Sequence, residues 1–250
     1  MINRQYEFNV LNILNYNTEN KLSVYYNWIK EHHKEVKGDI LEAGVFQGKS
    51  ILSTALLLTH LKSERVVYGF DSFDGFPPVY DTNDDLSNFE NLHNQGKITA
   101  THLEQHHRLV QHRSFLKNTE IDEKNISSSE TFENTSKHII ERKISYLGLK
   151  NIKLVEGDFA QTMSAQNDHP KNLSAALLDC DLYQSYMTAL AFVWPRLSSG
   201  GIIFLDEYFS LKFPGARIAV DEFFEPFSNN VELKCHKSED TFERWIAIKL

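Results

Sequence analysis

Four carboxylates in two short runs pose the chemical question: Asp179-Cys180-Asp181 and Asp206-Glu207. Each run follows an apolar stretch, SAALL and GGIIFL, that reads as a buried strand. Neighbouring parallel strands lie about 5 Å apart, so acids at two adjacent strand ends converge. Four anions in one cleft repel each other unless a cation neutralises them. An all-oxygen set suits Mg²⁺ or Mn²⁺ better than zinc. Each acid also has a local use. Asp181 stands three residues before Gln184, the spacing of a helix cap and its reciprocal partner. Asp206 and Glu207 fit a turn. Two acidic strand ends together favour the metal. Cys180 is a poor nucleophile there, because neighbouring anions raise a thiol's pKa.

A second polar set lies earlier. Glu42-Ala-Gly44-Val-Phe-Gln-Gly48 leaves one apolar run and enters another that reads as a helix. Glycines let backbone approach a ligand closely. Ser50 falls in the first helical turn, where free N–H groups can take a carboxylate. A dinucleotide site wants G-x-G-x-x-G at this turn. Here there are two glycines, preceded by Glu42, which repels a pyrophosphate and suits the ammonium of an amino-acid cofactor. Asp71 ends the second strand, where an acid can accept both ribose hydroxyls of an adenosine. Asp158 follows the third strand, near the expected adenine edge, and also fits a turn after Gly157.

These residues need an alternating frame to position them, and the chain supplies one. GDILEAG, VVYGFD, IKLVEGDF, SAALLDCD and GGIIFLDEY read as five strands separated by helices, and VELKC and ERWIAIKL as a closing pair. This is the layout of a seven-stranded α/β sheet. Lys21 to Glu35 reads as a leading helix. Residues 79–125 break the pattern as a polar, His-rich insertion with a helix over Ala100–Leu116. They form either a lid on the active-site edge or a surface loop. His102 and His106 have a zinc-like spacing there, but a solvated helix face is the favoured reading. Ser127-Ser-Ser-Glu130 fits a capping box opening a helix that Gly148 ends.

The chain has 250 residues, 41% hydrophobic and 12% aromatic, enough for one domain with a full core. A formal charge of −8 argues against a nucleic-acid partner. The first twenty residues lack the pattern of a secretory signal, and Ile51–Leu61 is too short to span a membrane. Cys180 and Cys235 read as reduced thiols. A cytoplasmic protein without membrane association is expected.

With these residues in view, the chain resembles the macrocin O-methyltransferase family: S-adenosylmethionine- and metal-dependent sugar O-methyltransferases of antibiotic pathways. The resemblance is carried by GDILEAGVFQGKS, VYGFDSFDGFP, LDCDLYQSYMTALAFVWPRLSSGG, FLDEY and PGARIAVDEFF. It implies a Rossmann-like class I methyltransferase domain over residues 1–250, its sheet mostly parallel with an antiparallel last strand and helices on both faces. It implies an S-adenosylmethionine pocket containing Glu42, Gly44, Ser50, Asp71 and Ser72. It implies Mg²⁺ or Mn²⁺ on Asp179, Asp206 and Glu207, and Asp181 as general base. The implied acceptor is a hydroxyl of a sugar-containing small molecule, and association into a homo-oligomer is expected. Three departures stand out. Glu207 replaces the family's second Asp, the stretch after Pro78 is longer, and residues 1–37, expected as a helical cover, show no clear match. A catechol-type O-methyltransferase would share the metal logic. An NAD-dependent oxidoreductase would want the missing third glycine. A non-catalytic cofactor-binding protein would have no need of the acidic cluster.

Overall fold

The apolar runs become strands because their side chains are covered on both faces, as in parallel sheets generally. β1 (Asp39–Ala43), β2 (Val67–Asp71), β3 (Ile152–Glu156), β4 (Leu173–Leu178), β5 (Leu197–Leu205), β6 (Val231–Lys237) and β7 (Glu243–Lys249) form one sheet. All six residues of β4 are buried. The order is β3-β2-β1-β4-β5-β7-β6. β1 to β5 pair in parallel, and β7 runs antiparallel to β5 and β6. The reversed β7 departs from the 3-2-1-4-5-6 order of dinucleotide-binding sheets. The computed structural model describes residues 2–164, 166, 167, 169–237 and 242–250.

Side chains alternate between two cores, as strand periodicity requires. One face takes Ile40, Val67, Ala175, Leu177, Ile202 and Phe204. It is covered by α1 (Gln5–Leu11), α2 (Ser23–His32), α3 (Lys49–His60) and α6 (Lys137–Leu147). The N-terminal helices are integral to this core: Phe8, Leu22, Tyr25 and Tyr26 are fully buried. The other face takes Leu41, Phe70, Ala176, Leu178 and Leu205 under α7 (Phe159–Thr162), α8 (Tyr183–Val193) and α9 (Pro214–Phe224).

Residues 79–125 hold a 3₁₀ turn (Thr82–Asp84), α4 (Asn88–Asn94) and α5 (Ala100–Lys117). Thr99 caps α5 by accepting from His102 N at 3.1 Å. The solvated face expected for its histidines is not found. His102 and His106 are each 4% exposed. Their four-residue spacing puts both on one helix face, where His106 stacks on Phe89 and His102 packs against Phe209. His102 Nε2–H donates to Ser210 O at 2.6 Å, and His106 Nδ1–H to Leu211 O at 2.9 Å. These carbonyls can only accept, which fixes the tautomers.

The helix expected to be capped at Ser127 starts nine residues later. Ser136 is the cap of α6, and Gly148 ends it at φ +64° as expected. Glu130 and Phe132 have φ of +51° and +62°, which no helix continues through. Phe132 is instead drawn into an aromatic cluster with Phe46 and Phe76. Tertiary packing has overridden the local capping signal. Cys180 and Cys235 are free thiols. Among the described residues, no helix is long and apolar enough to cross a membrane.

Candidate active site

The sheet register sets the site. Ala43 pairs with Leu178, and Leu178 with Leu205, so Gly44, Asp179 and Asp206 leave β1, β4 and β5 side by side. Asp179 N donates to Ala43 O at 2.9 Å and Asp206 N to Leu178 O at 3.0 Å, carrying the ladder one residue further. This is the C-terminal edge beside the β1/β4 switch point, where open α/β sheets take ligands.

The turn after β1 closes tightly. Gly44 has φ +88°, and a Cβ there would lie 1.9 Å from Asp179 O. Gly48, at φ +77°, is the N-cap of α3. Ser50 Oγ–H donates to Glu42 Oε1 at 2.6 Å. Glu42 is fully buried, and its Oε2 has no partner among the described residues. Burial raises its pKa to about 8 against the opposing pull of the Ser50 hydrogen bond. Asp71 Oδ2 accepts Val45 N at 2.7 Å and Phe46 N at 2.8 Å, and Oδ1 accepts Phe73 N at 2.7 Å. A carboxylate has about four acceptor positions, so one remains for a ligand. Ser72 Oγ–H donates to Gly75 O at 2.9 Å. Asp158 accepts Ala160 N at 2.7 Å and caps α7. Glu42, Gly44, Ser50 and Asp71 thus meet around one turn, while Ser72 and Asp158 hydrogen-bond within their own turns.

At the β4 and β5 ends, Asp179, Asp181 and Glu207 each bring one oxygen within 4.8 Å of the others. Asp206 is joined to Asp179 through Lys21, whose Nζ lies 2.7 Å from Asp206 Oδ2 and 3.1 Å from Asp179 Oδ2. Glu207 accepts from Ser210 Oγ–H and lies 3.6 Å from Lys212 Nζ. Asp181 has φ +59°, and Leu182 N donates to Cys180 O across it at 2.6 Å. Such a three-residue turn is strained for a non-glycine residue, and strain of this kind gathers at functional positions. Asp181 is not a helix cap. Leu182 holds that place in α8, and Tyr183 N donates instead to Asp84 Oδ1 at 2.8 Å.

Two ionised carboxylates about 4.8 Å apart repel by about 3 kcal/mol at an effective dielectric near 20. The proton affinities show it. Burial and Asp206 raise Asp179 to about 7. Burial and Glu207 push Asp181 well above the carboxylate range. Burial also resists ionisation of Asp206, but Lys21 outweighs it and holds the group below its usual value. Four acids face two lysines, so ionising all four would leave a net negative charge, and every donor is oxygen. That set fits a hard dication.

A profile of the macrocin-O-methyltransferase family (TylF) matches residues 20–118 and 113–234. The chain belongs to this family. Mycinamicin III 3''-O-methyltransferase of Micromonospora griseorubida is 28% identical over 191 residues, 75% of this chain and 61% of that protein. A tetracenomycin rhamnosyl 4'-O-methyltransferase of Streptomyces olivaceus is 28% identical over 176 residues, 69% and 54% of the two chains. Demethyldecarbamoylnovobiocin O-methyltransferase of Streptomyces niveus is 26% identical over 200 residues, 79% and 62%. The chain spans 54% to 62% of the length of these relatives. The solved O-methyltransferase NovP superposes with a TM-score of 0.64 at 20% identity, over 92% of this chain and 80% of that one. The calicheamicin methyltransferase CalS11 does so at 0.60 and 20%, over 98% and 80%. These two structures show that the fold is shared.

Within this macrocin O-methyltransferase frame, several residues escaped the sequence reading. Lys21 lies 158 residues from Asp179, and no local pattern announces it. Tyr186 Oη–H donates to Leu178 O at 2.8 Å and accepts Glu207 N at 3.1 Å, clasping the two acidic strand ends. Asp84 comes from the insertion. Only His102 and His106 had a signal, their spacing on one helix face.

Proposed function

We propose that this chain is an S-adenosylmethionine-dependent O-methyltransferase that methylates a sugar hydroxyl on a small molecule, assisted by Mg²⁺ or Mn²⁺. The observation that carries this reading is the meeting of Asp179, Asp181 and Glu207 beside the Glu42–Gly44 turn in a member of this family. A rhamnosyl group in the name of one relative supports a sugar as acceptor. The free thiols suit a reducing cytoplasm.

Glu42, with one buried oxygen unpaired, would hold the cofactor's ammonium. The free N–H groups at the start of α3, near Ser50, would hold its carboxylate. The open acceptor position of Asp71 would take a ribose hydroxyl, with Ser72 beside it and Asp158 towards the adenine. Asp179 and Glu207, two of the three acids that lie within 4.8 Å of one another, would hold the dication together with Asp206, now tied to Lys21, and the ion would lower the pKa of a hydroxyl in contact with it. Asp181 would take the hydroxyl proton at its carboxylate, and the cofactor, when bound, would supply an electrophilic methyl group on a sulfonium. Burial and neighbouring anions raise the proton affinity of Asp181, and a bound dication would oppose that rise.

The test is methyl transfer from labelled S-adenosylmethionine to rhamnosylated acceptors. A methylated sugar, lost in excess chelator and restored by Mg²⁺, is expected. Cofactor binding without transfer to any such sugar would overturn the acceptor reading. Full turnover in chelator would overturn the metal.

A further inference from the structure

Lys21 stands where neither the glycine turn nor the strand-end acids call for a residue. Its ammonium lies between Asp179 and Asp206, within 3.1 Å of an oxygen of each. Those are two of the three carboxylates that the proposed function assigns to a dication. An ammonium and a divalent ion cannot occupy one gap, since like charges in contact repel strongly. We infer that Lys21 is a built-in competitor of the metal: the dication binds by displacing its ammonium, and Lys21 thereby sets the site's metal affinity. This inference rests on the metal-assisted reading above.

The surroundings separate a fixed backbone from a movable side chain. Leu22, Tyr25 and Tyr26, which follow Lys21, are fully buried. Asn20 Oδ1 accepts Leu22 N at 2.9 Å, and Ser23 Oγ accepts Asn20 N at 2.9 Å, pinning the entry to α2. The Lys21 side chain itself is 42% exposed. Its flexible four-carbon stem can swing towards solvent without unpacking the helix. Lys212 is placed differently, 3.6 Å from Glu207 Oε1 alone. It flanks the acids and does not bridge two of them. When Lys21 leaves, Asp206, 6% exposed at its side chain, is left to the incoming ion.

Mn²⁺ titrations of the full chain, followed by the resonance of free Mn²⁺ and by thermal unfolding, test this. Lys21→Met is expected to bind Mn²⁺ at least about tenfold tighter than wild type and to gain more thermal stability from it. Lys21→Arg, which keeps the charge, is expected to bind no tighter than wild type. Mn²⁺ binding by Lys21→Met equal to or weaker than wild type overturns the competition and leaves the metal reading standing. No Mn²⁺ binding by either protein overturns both. A measurement on unaltered protein guards against a variant that fails to fold. Reductive methylation of Lys21, read by mass spectrometry, should speed up when Mn²⁺ is added. Unchanged or slower labelling while Mn²⁺ is bound overturns the inference.

Discussion

The two ends of the site hold negative charge in opposite ways. At the β1 and β2 tips, Asp71 and one oxygen of Glu42 accept from groups of the same turns: the N–H groups of Val45, Phe46 and Phe73, and the Ser50 hydroxyl. At the β4 and β5 tips, the acids lean on ammonium groups, one of which comes from the far N-terminal segment. The first end is held by hydrogen bonds, with one buried oxygen of Glu42 left unpaired among the described residues. The second stores mutual repulsion, which a bound cation would relieve. The two ends therefore place different electrostatic demands on one continuous sheet edge.

The largest effect that could break this division is at Asp181. Asp181→Asn should lower turnover by about 10²–10⁴-fold, the usual weight of a general base, with affinity for S-adenosylhomocysteine unchanged. An equal loss of cofactor affinity would show that the two ends are not separable. A middle-sized effect concerns Glu42, raised by burial to about 8. Below that pH the free carboxyl holds a proton, which a cationic ligand must expel. Affinity for the cofactor should fall by about tenfold for each pH unit below 8, and Glu42→Gln should flatten the dependence. A calorimetric titration that is flat between pH 6 and 8 in the wild type would take Glu42 away from the ammonium. The smallest effect concerns His102, which holds Ser210 O in the loop after Glu207. His102→Ala should weaken Mn²⁺ binding by about fivefold, the value of one net hydrogen bond of about 1 kcal/mol, without moving cofactor affinity. His102→Asn, with an amide donor, should recover part of it.

The same division decides what could be read from sequence. Gly44, Gly48, Ser50 and Asp71 lie within a few residues of the strand ends, so their place beside the sheet edge could be read from the local pattern. The sheet was legible for a related reason: β1, β4 and β5 are rich in apolar residues and are followed by an acid or a glycine. Lys21 was not legible, because its partners come from the other half of the chain and nothing local marks it. The buried histidines were misjudged because polarity suggested solvent, whereas Phe89, Phe209 and two loop carbonyls give them a complete interior environment. The helix start was misplaced at Ser127 because a capping pattern is only as strong as the packing that follows it.

The contact under Gly44 carries a last consequence. With the carbonyl of Asp179 filling the space of a side chain, the donor half and the receiving half of the cleft share one rigid floor. Any change in what this edge binds must therefore arise away from position 44, where a side chain has no room.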